Sequence, residues 1–384
     1  MTTCKTKIHN IFKPIVARIT SSKYNLNFIT DTAYIREDGQ FTFGHSILLT
    51  SKTSPQKTSK PVAYDIDNDF FKNASDGDII QITPDGIISV LWEKRLNPHD
   101  FTLFITHQCN ANCIMCPQPP KKDEYSLMDT NKKILKYLSK EPIKMIGITG
   151  GEPTLKKNDL LELTSLAYKY YPSADINLLT NGKKLSDFNY AKELALSNPN
   201  ITFCVSFPSD NMDDSNEIMR THIYVDVLKA IQNLAILRQK IELRIVILKQ
   251  NYKRLLEIAQ FIYRNFPFIY HIAFMGMEVT GYAFDNIDDI NIEPSLYNDR
   301  LLSAVQFLHQ RDMHVSVYNI PFCLVDKRMW KFVKNSISKW KQSYNLECNL
   351  CSKKSICSGI FTTTKINNFK LQPILESRFM FIIL

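Results

Sequence analysis

A chain of 384 residues is long enough for two or three domains, and its 44% hydrophobic content can bury a core, which excludes a disordered protein. The net charge of +9 comes from basic residues concentrated towards both ends. Basic terminal regions are typical of a solvated surface or of a surface that binds an acidic partner. Because the chain has no arginine-rich run and no nucleic-acid-binding motif, we do not expect it to bind nucleic acid. No stretch is apolar enough to cross a bilayer and no secretory signal opens the chain, so we expect a cytoplasmic protein with no membrane partner.

Residues 1–98 predict a small N-terminal β-rich domain. Short alternating stretches such as QFTFGHSILLT are typical of half-buried strands. The segment GDIIQITPDGIISVLW places a Pro-Asp-Gly turn between two apolar runs, which predicts a β-hairpin.

Residues 99–315 predict an α/β domain, because six apolar strand-like runs each precede an amphipathic helical stretch. The first pair is FTLFIT and TNKKILKYLSK, and the last is HIAFMGM and SLYNDRLLSAVQFLHQ. Six units suit a partial (β/α)6 barrel better than a closed eight-fold one. Functional residues are then expected at the carboxyl ends of the strands.

Three cysteines in the loop after the first barrel strand form the strongest chemical signal. Cys109, Cys113 and Cys116 have the spacing C-x3-C-x2-C. Three thiolates can hold three irons of a four-iron cluster and leave the fourth iron open for chemistry. A zinc site is the alternative, but zinc prefers four protein ligands with paired C-x2-C spacings.

This loop, together with the TGGEP segment that ends the second strand, resembles the radical S-adenosylmethionine (SAM) superfamily. The resemblance covers residues 101 to 290 and implies a 4Fe-4S cluster on the three cysteines, with SAM chelated to the open iron. It also implies that one electron from the reduced cluster cleaves SAM to a deoxyadenosyl radical, which abstracts hydrogen from a substrate.

The same resemblance implies a set of SAM-binding residues at successive strand ends. Glycines would let backbone carbonyls approach the ligand, and the glutamate would accept a hydrogen bond from the SAM ammonium. The expected cofactor-binding residues are Gly150, Gly151, Glu152, Asn181, Ser206 and Met277. No catalytic side chain beyond these is predicted.

Residues 316–384 have little helical periodicity and hold four more cysteines, which predicts an irregular, metal-stapled extension. The four are Cys323, Cys348, Cys351 and Cys357. They suit a fully ligated four-iron cluster or a zinc site. The string C-x2-C-x5-C resembles SPASM/twitch auxiliary-cluster domains, which implies a second 4Fe-4S cluster; a full SPASM domain carries seven cysteines, so four allow one cluster.

The segments CIMCPQPPKK, FMGMEVTGYA and SISKWKQSY are similar to those of His-Xaa-Ser system radical SAM maturases of the HxsC type. That resemblance implies a ribosomally made peptide substrate, a second radical SAM maturase as partner, and an electron donor such as flavodoxin or ferredoxin. Two alternatives stay open. One is a radical SAM enzyme that acts on a nucleoside or small molecule, and the other is a structural or regulatory protein stapled by metal.

Overall fold

The computed structural model describes residues 3–22, 31–36, 44–53, 58–363 and 371–375. The chain divides into two compact units. The first unit comprises Met1–Ile105, Glu124–Thr149 and Asn158–Asn177, and the second comprises Thr106–Asp123, Gly150–Lys157 and Leu178–Leu384. No helix among the described residues is long and apolar enough to cross a membrane.

The first unit contains an eight-stranded sheet with the order β1-β8-β7-β3-β4-β5-β6-β2. Its strands are β1 (Thr3–Lys5), β2 (Lys7–His9), β3 (Ile15–Thr20), β4 (Thr32–Ile35), β5 (Ile47–Leu49), β6 (Val62–Tyr64), β7 (Ile79–Ile82) and β8 (Ile87–Trp92), and helix α1 (Asn68–Asn73) follows β6. Their buried aliphatic side chains form one core cluster. A β-rich N-terminal region is therefore confirmed.

The predicted hairpin is β7 and β8, which pair antiparallel. Gly86 in the turn has φ +80°, and a Cβ there would lie 2.3 Å from the carbonyl oxygen of Thr6. Only glycine fits this turn without strain. Of the stretch QFTFGHSILLT, β5 is described, whereas residues 40–43 lie outside the described residues.

The second sheet also has eight strands, in the order β16-β15-β14-β13-β12-β11-β10-β9. They are β9 (Asp100–Phe104), β10 (Met145–Thr149), β11 (Asp175–Thr180), β12 (Ile201–Ser206), β13 (Lys240–Val246), β14 (His271–Met275), β15 (Val315–Tyr318) and β16 (Val333–Lys334). Strand pairs β9–β10 and β12 through β16 are parallel. The predicted α/β fold with a partial-barrel sheet is confirmed, and β15 and β16 extend the six predicted strands.

The helices follow the predicted alternation. They are α2 (Met128–Tyr137), α3 (Lys157–Tyr170), α4 (Phe188–Ser197), α5 (Met212–Met219), α6 (Tyr224–Ile236), α7 (Leu255–Asn265), α8 (Tyr282–Asp285), α9 (Ile287–Ile290) and α10 (Pro294–His309). Helix α5 was not predicted; its cap is Asn211, whose side chain accepts a hydrogen bond from the Asp214 N–H. Strand β15 begins at Val315 and so crosses the expected boundary at 315/316. The domain boundaries stay predictions.

Beyond β16 the second unit is irregular in its described part, as the lack of periodicity indicates. A two-stranded antiparallel sheet joins β17 (Gln342–Ser343) and β18 (Ile360–Phe361). Between them lie two short 3-10 helices, Leu346–Leu350 and Lys354–Ile356. Cys348 lies on the first of these helices, and Cys351 and Cys357 directly follow the first and the second.

Candidate active site and second cysteine site

The loop after β9 carries Cys109, Cys113 and Cys116, all partly buried in the second unit. Burial raises the pKa of each thiol, and for Cys113 burial and the negative charges of Cys116 and Cys109 raise the pKa to about 12. For Cys109, the backbone N–H groups of Ala111 and Asn110 offset part of the rise in pKa that burial causes. The three thiols therefore lie close enough to sense one another's charge. Thiolates so placed need a cation, because the thiolate and not the thiol binds metal.

Apolar packing around Ile114 holds this loop in place. Ile114 is buried, and its N–H donates to the Ile218 carbonyl at 2.9 Å. Around Ile114 a small hydrophobic cluster also contains Leu248, and Met115 and Met277 pack against it. Met277, expected to bind the cofactor, therefore belongs to the same cluster as the cysteine loop.

The Gly-Gly-Glu turn after β10 is held to the start of the cysteine loop by backbone hydrogen bonds. The Gly151 N–H donates to the Thr106 carbonyl at 2.7 Å, and the Glu152 N–H donates to the Gln108 carbonyl at 2.8 Å. A Cβ on residue 151 would lie 2.2 Å from the Gln108 carbonyl oxygen. Glycine is therefore required at position 151 by the close approach of two backbones. Gly150 precedes it and is partly buried.

The Glu152 side chain is buried, with 1% of its surface exposed. One carboxylate oxygen accepts hydrogen bonds from the N–H and hydroxyl of Thr154 and, at 2.7 Å, from the Thr180 hydroxyl. The other accepts from the Asn181 N–H at 2.6 Å. Burial raises the pKa of Glu152, and these donors offset part of that rise. Glu152 thus joins the turn after β10 to the end of β11, and its contact with the SAM ammonium stays a prediction.

Asn181 follows β11 and reaches the cysteine loop. Its Nδ2 donates to Asn110 Oδ1 at 2.7 Å and lies 3.9 Å from the sulfur of Cys109. Ser206 is the last residue of β12 and is opposite Arg244 in the parallel register. The predicted SAM contacts therefore stand at the carboxyl ends of strands, as the sequence indicates, and their roles stay predictions.

The four C-terminal cysteines line one cavity, which brings Cys323 to the other three across the intervening segment. Burial raises the pKa of Cys323 and Cys357, and the charge of Cys348 raises both further. Within residues 3–363 and 371–375, apart from the gaps stated above, no group of three or more His, Cys, Asp or Glu is arranged to hold a metal ion. The gathered thiols have the donor chemistry of an iron–sulfur site, and their assignment as ligands stays a prediction.

Residues 371–375 pass over this cavity. Leu371, Gln372 and Ile374 line it. The Ile374 N–H donates to the sulfur of Cys351 at 3.4 Å, and the Gln372 N–H lowers the pKa of Cys323. No sequence pattern indicates these contacts, because they use backbone atoms.

A partly buried polar network on β13–β15 also escaped the sequence analysis. His271 Nδ1 lies 2.8 Å from Glu242 Oε2, and its Nε2 lies 2.9 Å from the Ser316 hydroxyl. Arg244 Nε is 3.3 Å from Glu242 Oε1, close enough for an ion pair but not aligned for a hydrogen bond. Burial disfavours the Glu242 carboxylate, yet His271 and Arg244 outweigh it and lower its pKa. The alternating burial of β13 puts Glu242 and Arg244 on the same face as Val246, which packs against the Ile114 cluster.

Residues 276–286 form a connecting segment after β14. A Cβ on Gly281, whose φ is +57°, would lie 2.7 Å from the Pro117 carbonyl oxygen, and Asn286 Nδ2 donates to the Ile114 carbonyl at 3.0 Å. At the other end of the segment, the Glu278 carboxylate is bound by Lys341. The segment therefore contacts both the cysteine loop and Lys341, the residue directly before β17.

Comparisons with known proteins give two groups of similar proteins. The GTP 3',8-cyclase of Aliarcobacter butzleri is 29% identical over 164 residues, which cover 41% of this chain and 49% of that protein. A probable GTP 3',8-cyclase of Pyrococcus abyssi is 29% identical over 150 residues, 38% of this chain and 46% of that protein. The chain thus spans about half the length of these curated relatives.

Among solved structures, Streptococcus suis SuiB bound to S-adenosylmethionine is 21% identical, with a TM-score of 0.49 over 58% of this chain and 52% of that chain. The structure of anSMEcpe with bound AdoMet is 17% identical, with a TM-score of 0.44 over 57% of this chain and 61% of that chain.

The model of the Radical SAM superfamily matches residues 103–262. This range contains the three-cysteine loop, the Gly-Gly-Glu turn, Asn181 and Ser206. Members of the superfamily use a 4Fe-4S cluster and S-adenosylmethionine. Residues 103–262 therefore match a radical SAM domain, and such a domain indicates that the protein is an enzyme.

Proposed function

We propose that this enzyme cleaves SAM reductively and modifies a ribosomally made peptide of the His-Xaa-Ser system in the cytoplasm. One observation supports the proposed cleavage of SAM. Three thiols whose negative charges interact lie close to the hydrogen-bonded pair Glu152 and Asn181 at one edge of the sheet. The proposed modification of a peptide rests on the similarity of three segments to His-Xaa-Ser maturases and on a second group of four thiols.

At the first site, Cys109, Cys113 and Cys116 would hold a 4Fe-4S cluster. When bound, the cluster and SAM supply one-electron chemistry that yields a deoxyadenosyl radical. The buried Glu152 keeps the Gly150-Gly151 carbonyls and Asn181 in fixed positions, because it bonds to both segments. Ser206 and Met277 complete the proposed SAM site.

At the second site, Cys323, Cys348, Cys351 and Cys357 would hold a further 4Fe-4S cluster with no open iron. Four thiolates satisfy all four irons, so this site suits electron transfer rather than SAM chelation. Partners follow from this proposal: the peptide, an electron donor such as flavodoxin or ferredoxin, and a second radical SAM maturase.

A second candidate is a radical SAM enzyme acting on a nucleotide. The observation in its favour is the similarity of 150 to 164 residues of this chain to GTP 3',8-cyclases, at 29% identity over less than half of each chain. The two candidates share the first cysteine site and differ in the substrate.

The deciding experiment incubates the anaerobically reconstituted protein with SAM, dithionite and either a His-Xaa-Ser-repeat peptide or GTP. Mass spectrometry then follows deoxyadenosine and the mass of each substrate. A mass change in the peptide supports the maturase, a change in GTP supports the cyclase-like candidate, and deoxyadenosine without either change contradicts both substrates. The triple variant Cys109→Ala, Cys113→Ala, Cys116→Ala is the control and should form no deoxyadenosine.

Iron analysis tests the second site separately. Two four-iron clusters require about eight irons per chain in the wild type and about four in the triple variant. Four irons with one zinc in the wild type would make the C-terminal site a structural zinc site and would contradict its role in electron transfer.

A further inference from the structure

Large apolar side chains are exposed around the second cysteine site. Leu346 and Leu350, at the two ends of one 3-10 helix, are 84% and 73% exposed, and Ile356 on the next 3-10 helix is 58% exposed. Each lies within two residues of a cysteine that lines the thiol cavity. Single exposed aliphatic residues are ordinary, but several on one short segment indicate an interaction surface.

Lysines surround these residues. Between positions 327 and 357 the chain has eight Lys or Arg and a single acidic residue, Glu347. Lys353 and Lys327 hold their ammonium groups 5.6 and 5.9 Å from the ring centre of Trp330. Lys354 lies 5.5 Å from the ring centre of Tyr344 and donates to Asn349. We call the set Leu346, Leu350, Ile356, Lys353 and Lys354 the Lys–Leu surface.

The Lys–Leu surface gives access to the thiols. A surface concavity is lined by Tyr344, Cys351, Ser352, Lys354 and Ser355. Tyr344, Cys351 and Lys354 also line the thiol cavity. The sulfur-bearing residue Cys351 is therefore shared between the outer surface and the interior of the site. A group bound at Lys354 would lie next to that interior.

We propose that the Lys–Leu surface docks an acidic one-electron carrier protein, which delivers its electron through the second cysteine site. This inference rests on the proposed function, because it requires a cluster on the four thiols. In the transfer the carrier loses one electron and the oxidised cluster gains it, with no bond made or broken. Positive charge steers an acidic partner, and a small apolar centre lets it dissociate quickly, as electron-transfer encounters require.

Stopped-flow absorbance tests the docking with reduced flavodoxin as the probe, mixed anaerobically with the reconstituted enzyme. The double variant Lys353→Glu, Lys354→Glu should lower the second-order rate of flavodoxin oxidation about tenfold at low salt and reduce its salt dependence. The matched control is Lys192→Glu, Lys229→Glu, which makes the same charge change on α4 and α6. The variant Leu346→Ser, Leu350→Ser should weaken the complex without changing the salt dependence.

Equal iron content in all variants would show that the second cysteine site is intact in each of them. Dithionite-driven SAM cleavage by the wild type separates the two proposals: its absence would contradict the proposed function, whereas its presence together with flavodoxin oxidation that is as fast in the Lys353→Glu, Lys354→Glu variant as in the wild type would contradict only the docking proposal. Equal loss of rate in both lysine pairs, or no loss in either, overturns the docking proposal. A wild type that oxidises neither flavodoxin nor ferredoxin also overturns it, as does a dimer or a nucleic-acid complex that the same lysine variant abolishes.

Discussion

Lys341 Nζ lies 3.0 and 3.1 Å from the two carboxylate oxygens of Glu278. The pair is mostly buried, with 28% and 12% of the two side chains exposed, and the Thr363 hydroxyl donates to the same carboxylate at 2.7 Å. Because Glu278 belongs to the connecting segment 276–286, the pair links the segment that contacts the first cysteine loop to the residue directly before β17. Two distant parts of the sequence are thereby held in one unit.

A double-mutant cycle with Lys341→Met and Glu278→Gln should give a coupling of about 1 kcal/mol in the free energy of unfolding. A partly buried, bidentate pair contributes more than an exposed one, which contributes roughly 0–1 kcal/mol. Urea denaturation of the four proteins measures the coupling. Additive effects of the two substitutions would show that the pair contributes no interaction energy.

Gly151→Ala should lower the stability of the protein by about 1–3 kcal/mol and weaken SAM binding, because a Cβ would displace the backbone of Gln108. Gly147→Ala is the matched control, since its Cβ would meet the Thr102 side chain at 3.0 Å rather than a backbone carbonyl. Thermal unfolding and calorimetric SAM titration measure both effects. A Gly151→Ala protein as stable as the control would contradict the close approach.

Glu152→Gln should destabilise the protein even without SAM, by about 1–3 kcal/mol. The new amide NH2 would face either the Asn181 N–H or the donors of Thr154 and Thr180, so that one donor is left unpaired. Urea denaturation of the protein before reconstitution measures the loss. An unchanged midpoint with weaker SAM binding would instead limit Glu152 to ligand binding.

The Glu242–His271 pair should make the free energy of unfolding depend on pH in the acidic range. The pKa of Glu242 is below its ordinary value in the folded protein, so its contribution is present above the ordinary glutamate range near pH 4 and is lost as the pH falls through the folded pKa. Glu242→Gln should therefore be less stable at pH 7 and should lose less stability than the wild type between about pH 5 and 3. Parallel pH profiles for the two proteins would contradict this.

Ile374→Pro should lower the reduction potential of a cluster at the second site. The substitution removes the N–H that donates to Cys351 at 3.4 Å, and hydrogen bonds to sulfur favour the reduced cluster. Spectroelectrochemical titration measures the potential, and Ile374→Val, which keeps the N–H, is the control. Equal potentials in the two variants would show that the bond does not affect the cluster.

The sequence predicted those features that depend on local pattern. Strand and helix periodicity identified β9 to β14 and their helices, and the Pro-Asp-Gly turn identified the β7–β8 hairpin. Cysteine spacing identified two thiol groups; the four C-terminal cysteines line one cavity, and the roles of both groups as ligands stay predictions. Burial of Cys204, at 3% exposure, also follows from its place in an apolar strand.

Features that depend on tertiary contact could not be predicted. Strand β15 is only four residues long, so its alternation is too short to mark it as part of the sheet. Glu152 is a plausible ligand contact by motif, but its four internal donors come from residues up to 29 positions away. The Glu242–His271–Ser316 network joins three strands, and no spacing in a single sequence indicates such a combination.

The packing of the cysteine loop depends on residues far along the chain. Cys113 lies 3.4 Å from the sulfur of Met219, 106 residues later, and Ile114 is bound by Asn286, 172 residues later. Contacts so distant in sequence form slowly, because the intervening chain must first lose its conformational freedom. The loop with the first three thiols can therefore reach its final shape only after residues 219 and 286 have joined it. A chain shortened before residue 286 should lack these contacts, so the first cysteine site depends on residues far beyond its own motif.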